Sequence, residues 1–268
     1  MRKYYYSLGY IIVFLLSQAL CSIPLILHKE QSALGEKDMG TTLLAAALIG
    51  SSILTILLLA ALRAYHLGEA FNPRATNWRM APMCIIAALL GLTATTIAND
   101  FLQLPDNLED QFLALSQSSI GVFAIGFFGP LVEELLFREG ITGRLIRQGS
   151  NTWIAILYSS LLFGIVHGNP AQVPFAIIGG IILGTIYVLT GSVLLTAGIH
   201  ILNNLISVGF YMAFGSKVNE VSLIDIVGGR TNALVCILLF GTACFLILRR
   251  LYKENHLSPS LHHRPITQ

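Results

Sequence analysis

Charge is what this chain has least of. Lys, Arg, Asp and Glu make up 11% of its 268 residues, whereas a soluble domain of this length uses about a quarter of its residues that way. The shortage excludes a wholly water-facing surface. Cysteine is sparse as well. Cys21, Cys84, Cys236 and Cys244 each lie inside an apolar run and form no CxxC pair, so they read as small hydrophobes rather than a disulfide framework or a metal cluster. There is no HExxH helix and no repeat at a fixed period. The period-two alternation of barrel strands is missing too. The formal net charge of +2 is silent about nucleic acid, and no nucleic-acid partner is expected.

What remains is apolar: 54% of the residues are hydrophobic and the mean hydropathy is +0.72. A spanning helix needs about twenty mainly apolar residues. Segments of that kind fall at 5–27, 41–64, 81–99, 117–139, 151–167, 171–190, 193–213 and 231–249. The expected fold is therefore an all-α, polytopic integral membrane protein with about eight transmembrane helices, forming a single membrane domain over 1–268. Residues 101–117 read as an interfacial helix with Leu108, Phe112 and Leu115 on one face. Arg2-Lys3 and Ser17-Gln18-Ala19 resemble parts of a signal peptide, but the apolar run continues to Leu27, and the first span is read as an uncleaved anchor. Residues 256–268 are expected to be a disordered tail; its His262-His263 pair is read as solvated.

Alternating eight spans from a cytoplasmic N-terminus leaves only Lys29, Lys37, Lys217 and Arg230 outside, and puts the other twelve of the 16 Lys and Arg inside. That bias follows the positive-inside rule. It predicts both termini in the cytoplasm, with the loop of Asp100, Asp106, Glu109 and Asp110 outside.

Ionisable groups at membrane depth are costly and mark function by default. Here they are few: Glu133 and Glu134 in the fourth span, His167 at the end of the fifth, and His200 with Asn203 and Asn204 in the seventh. On a helix Glu134 and Arg138 stand at i and i+4, the favourable order for an ion pair. Glu133 points about 100° away, so it needs a partner on another element. Pro130 removes a backbone donor just before the acids and is expected to kink the helix. Phe163 and His167 share a face at i, i+4, as do His200 and Asn204.

The polar turn between spans four and five centres on Ser150, seventeen residues after Glu133 and seventeen before His167. In an antiparallel hairpin the two side chains would lie level, provided the fourth helix runs on past Gly140 toward Arg147. His200 and Asn204 reach a similar depth, roughly 15–20 Å from the Thr190-Gly191 turn at about 1.5 Å per residue. Ala176, Gly180 and Gly184 repeat at four-residue spacing, which lets the sixth helix pack closely.

The ordered set EELLFR (Glu133 to Arg138), FGIVH (Phe163 to His167) and HILNN (His200 to Asn204) resembles the EExxxR, FxxxH and HxxxN motifs of the CAAX-protease and bacteriocin-processing (CPBP, or Abi) family of intramembrane glutamic endopeptidases. The resemblance covers about residues 117–213, the expected catalytic core, with 1–116 and 231–249 as peripheral helices. It implies that Glu133 acts as general base on a water with help from His167, and that His200 and Asn204 stabilise the oxyanion. It gives Glu134, Arg138 and Phe163 supporting roles, and it implies no metal or other cofactor.

The expected partners are the lipid bilayer and a peptide or membrane-protein substrate, and the expected location is a bacterial inner membrane. Three other readings stay open. A zinc protease would use Glu133, His167 and His200. A transporter would show an inverted repeat and broken helices. An immunity protein would protect by binding.

Overall fold

The computed structural model describes residues 2–31, 37–65, 70–73, 76–215, 217 and 222–254. In chain order the helices are α1 (Tyr4–His28), α2 (Met39–Ala61), α3 (Ala81–Leu102), α4 (Glu109–Ser116), α5 (Ser119–Arg147), α6 (Thr152–His167), α7 (Val173–Thr190), α8 (Val193–Phe214), α9 (Leu223–Ile226) and α10 (Arg230–Glu254). No strand occurs among the described residues. All but α4, α6 and α9 are long and apolar enough to cross a bilayer, which makes seven. The chain is a polytopic all-α integral membrane protein. The eight expected spans correspond to α1–α3, α5–α8 and α10. The fifth of them, α6, is apolar but only 16 residues long. The tail at 256–268, with His262 and His263, lies outside the described residues.

Two boundaries differ most from expectation, each for a local reason. The fourth span does not stop near 139 but runs on to Arg147. The acid near its end is neutralised within the protein: Glu139 is buried, accepts the Tyr187 hydroxyl of α7 and pairs with Arg147 at 3.0 Å. Gly143 makes room for this group, because a Cβ there would lie 2.5 Å from the Tyr187 hydroxyl. The interfacial helix starts only at Glu109, since α3 takes Phe101 and Leu102, and Pro105 breaks the helical path beyond them. Of the face expected there, Leu115 is buried and packs in a small cluster with Ala45 and Ala124.

The bundle centres on α5–α8. α1 and α2 pack together against one side of α5, while α3 packs on both α10 and α7. One core joins Tyr10, Phe14 and Leu59 to Leu136, Phe137, Ile156, Phe163 and Tyr187. A second joins Cys84 and Ala88 of α3 to Ile186 and Leu189 of α7 and Cys244 and Leu248 of α10. The small-residue stripe works as its spacing suggests: Gly180 and Gly184 of α7 lie against Ser160 and Ile156 of α6, and a Cβ on Gly180 would sit 2.9 Å from Ser160 Cβ.

Candidate functional site

Helix α5 carries the acids, and its backbone is irregular on both sides of them. Residues Ala124–Phe128 and Leu135–Gly143 are π-helical, with a short α-helical stretch Gly129–Glu134 between. Wide turns of this kind often accompany functional sites. The first has an identifiable cause. The Gly129 N–H reaches back five residues to the Ala124 carbonyl, and Pro130, next in line, has no N–H to give. The Ile125 carbonyl is thereby left without a helical donor. Asn204 Nδ2 of α8 supplies one at 3.0 Å. Pro130 thus reshapes the helix before the acids, and one N–H of Asn204 is committed to that irregularity.

Glu134 is fully buried and is the hub of the site. Arg138 Nε and Nη2 donate to its two oxygens at 2.9 and 3.1 Å, with both side chains inaccessible to solvent. From α8, His200 Nδ1 lies 3.1 Å from Glu134 Oε1. A carboxylate paired with a guanidinium only accepts, so the His200 proton sits on Nδ1 and the other ring nitrogen is left for different work. Thr196, one turn before His200, also faces Glu134. Its hydroxyl donates to the Val193 carbonyl at 3.1 Å.

Glu133 points elsewhere, as the helical geometry requires. Its side chain keeps 20% exposure, and its Oε2 lies 3.8 Å from His200 Nε2. The two glutamates therefore flank one imidazole, one at each ring nitrogen.

Phe163 of α6 ties the remaining pieces together. Its ring meets Phe137 of α5 at 5.0 Å and 68°, the pair one turn nearer Ser150 on each side of the hairpin than Glu133 and His167. The Arg138 guanidinium lies over the same ring at 5.1 Å. His167 and His200 both stand edge-on to it, at 4.8 Å and 84° and at 5.9 Å and 83°. His167 is the last helical residue of α6 and is half-buried. Its Nδ1 is 2.7 Å from the Phe163 carbonyl. A carbonyl can only accept, which puts the proton on Nδ1 and leaves Nε2 as the ring's free basic position.

The structure thus joins Glu133, Glu134, Arg138, Phe163 and His200 in one cluster, with His167 attached through Phe163. Asn204 is the exception, since its amide is turned to Ile125. Among the described residues no three His, Cys, Asp or Glu side chains sit close enough to hold one metal ion. Two polar groups went unread in the sequence. Glu139, eight residues from Arg147 and on another helix from Tyr187, matches no local spacing. Asn169, only 1% exposed, comes just after an apolar run and looks like loop.

Residues 115–206 match the family model described as type II CAAX prenyl endopeptidase Rce1-like. The matched segment contains every residue of the cluster. Over this segment the chain is similar to that family. A further match is the membrane-embedded CAAX protease MroQ of Staphylococcus aureus (strain USA300), 31% identical over 117 residues. That alignment covers 42% of this chain and 46% of the relative, so the chain spans about half the length of the curated relative it matches. No solved structure matches.

Proposed function

We propose that this protein is an intramembrane endopeptidase that hydrolyses peptide bonds of membrane-associated peptides or proteins. The observation that carries the reading is His200 fixed between two glutamates. Glu134, itself neutralised by Arg138, holds the Nδ1 proton, and Nε2 faces Glu133 at 3.8 Å. When Nε2 also carries a proton, the charges of Glu133, Glu134, Arg138 and His200 sum to zero. An apolar medium tolerates such a set far better than a net charge.

In this mechanism Glu133 removes a proton from water, and the free Nε2 of His167 helps orient that water. The resulting hydroxide attacks the scissile carbonyl. The oxyanion then receives hydrogen bonds from His200 Nε2–H and from the Asn204 N–H not used by Ile125. Donors preorganised in a dry site are worth about 3–4 kcal/mol each at an oxyanion. Glu133 returns its proton to the leaving amine, which closes the cycle.

The test is cleavage of a membrane-peptide library by the purified full-length chain, read by mass spectrometry, with prenylated CaaX peptides included beside unmodified ones. Wild type should cut a defined subset and Glu133→Gln should cut none of it. Activity should survive exhaustive chelation. Loss with EDTA and rescue by zinc would replace this mechanism with a metal-activated water, and an intact library under wild type would favour a binding role.

A further inference from the structure

His167 closes α6, where a helix runs out of donors for its last carbonyls and tends to fray. A group needed for chemistry is poorly placed there unless something beyond the helix holds it. The chain leaves the helix through Gly168, whose φ of 61° is a left-handed conformation that glycine adopts without strain. Asn169 comes next, buried between exposed neighbours. Its backbone carbonyl accepts the N–H groups of Gln172 and Val173 at 2.8 and 3.0 Å and so starts the next helix.

Its side chain makes a second, distant attachment. Asn169 Nδ2 donates to Asp106 Oδ1 at 2.8 Å, and its Oδ1 accepts the Asn107 N–H at 3.2 Å. Asp106 Oδ1 also accepts the Leu108 N–H at 2.9 Å, which shapes the loop before α4. Turning from α6 into α7 needs only the backbone bonds. The side-chain bonds fasten the turn to a segment about sixty residues nearer the N-terminus.

We infer that Asp106 and Asn169 are positioning residues: their paired side chains hold the last turn of α6, and with it the His167 imidazole, in place for the reaction. The inference rests on the assignment of His167 to catalysis proposed above. The latch touches neither His167 nor substrate and acts only through the two intervening backbone units.

The test uses the full-length chain in detergent with three variants: Asp106→Ala, Asn169→Ala, and the exchange D106N with N169D. The exchange again sets an amide donor against a carboxylate acceptor. Two measurements are made. One is the rate at which diethyl pyrocarbonate modifies His167, relative to His200 in the same molecule, read by mass spectrometry. The other is kcat and KM on the library peptide that wild type cuts fastest. The single variants should raise the His167-to-His200 ratio several-fold. They should lower kcat roughly ten- to hundred-fold, the usual cost of losing an outer-shell partner, with KM and the thermal midpoint near wild type. The exchange should recover both readings.

Asp106 is exposed, so Asp106→Ala keeps the test decisive even if Asn169→Ala does not fold. A wild-type ratio and kcat in Asp106→Ala would overturn the inference. So would a kcat loss that merely tracks a fallen thermal midpoint, or an exchange no better than the single variants. If His167→Ala kept full turnover, the site assignment would fail instead, while the modification ratio would still report whether the latch holds the ring.

Discussion

Helices α5 and α7 bury 50% and 61% of their most apolar stretches within the protein, whereas α1 and α10 bury 22% and 17%. All four are apolar enough to span a bilayer, yet they meet different surroundings. The inner pair, with α8, carries Glu133, Glu134, Arg138, Glu139, Tyr187 and His200. The outer pair presents residues such as Leu16, Leu238 and Phe245, each at least 60% exposed. Lipid offers a carboxylate neither a counter-charge nor a donor, so ionised groups persist only where neighbouring helices supply both. Mean hydropathy cannot separate the two kinds of helix. The sites of costly polar groups can, and these two regions should therefore respond oppositely to substitution.

The largest contrast should come from Glu133 itself. Replacing a general base, the role proposed for Glu133, typically costs about 10²–10⁴-fold in rate, so Glu133→Gln should fall to the assay floor in the peptide-library cleavage. The side chain is partly exposed and joined to its neighbour only at 3.8 Å, so the thermal midpoint should stay close to wild type. Near-normal kcat in this variant would remove the acid from the mechanism and with it the reason for a polar interior.

Arg138 should show the reverse pattern, with stability lost first. Arg138→Ala leaves the Glu134 carboxylate buried with no guanidinium, and breaking a buried pair from one side costs about 3–5 kcal/mol. Thermal unfolding in detergent should register a large drop. A joint Glu134→Gln and Arg138→Met variant, which removes both charges, should recover much of the stability but not the activity, since His200 Nδ1 then lacks its carboxylate.

The contrast between inner and outer helices also bears on what could be read from sequence. Glu134 with Arg138, and Phe163 with His167, are local pairs at i, i+4, and local spacing is what a sequence displays. The level match across the hairpin was legible because the chain reverses at a single turn, which makes counting from Ser150 meaningful; the Phe137–Phe163 contact obeys the same symmetry. The bond between His200 and Glu134 was not legible, because it depends on how α8 rotates against α5. Nor was the turn of the Asn204 amide toward Ile125. That arises from a π-helical turn, and regular α-helical periodicity contains no such turn. Glu139 was hidden for a simpler reason: a charged residue at the end of an apolar run looks like the end of a span until a second helix is seen to neutralise it.

A moderate effect is expected where α6 and α7 touch. A Cβ on Gly180 would sit 2.9 Å from Ser160 Cβ, and the element displaced by any separation is α6, which carries Phe163 and His167. Gly180→Leu should cost about 1–3 kcal/mol by overpacking. Cleavage should fall further than the lost stability alone accounts for, measured as kcat at a temperature where the variant remains folded. Unchanged activity with reduced stability would mean that α6 can move without disturbing the site.

The smallest effect belongs to the outer helices, and it is the one that makes the contrast quantitative. Leu238 of α10 is 67% exposed in the protein alone, so in a membrane its side chain meets lipid tails. Acyl chains are as apolar as leucine, and no hydrophobic driving force presses such a residue into the bundle. Alanine is also at least as good a helix former. Leu238→Ala should therefore shift stability by no more than about 0.5 kcal/mol, the usual range for a surface position, and leave kcat and KM at wild-type values. The same truncation at Leu136, which is fully buried in the core around Phe137, should cost about 2–5 kcal/mol. Thermal unfolding of the two variants in one detergent measures the difference directly. If Leu238→Ala were as damaging as Leu136→Ala, the face of α10 would be an interface with another protein surface, and the division into a polar inner bundle and a passive outer ring would not hold.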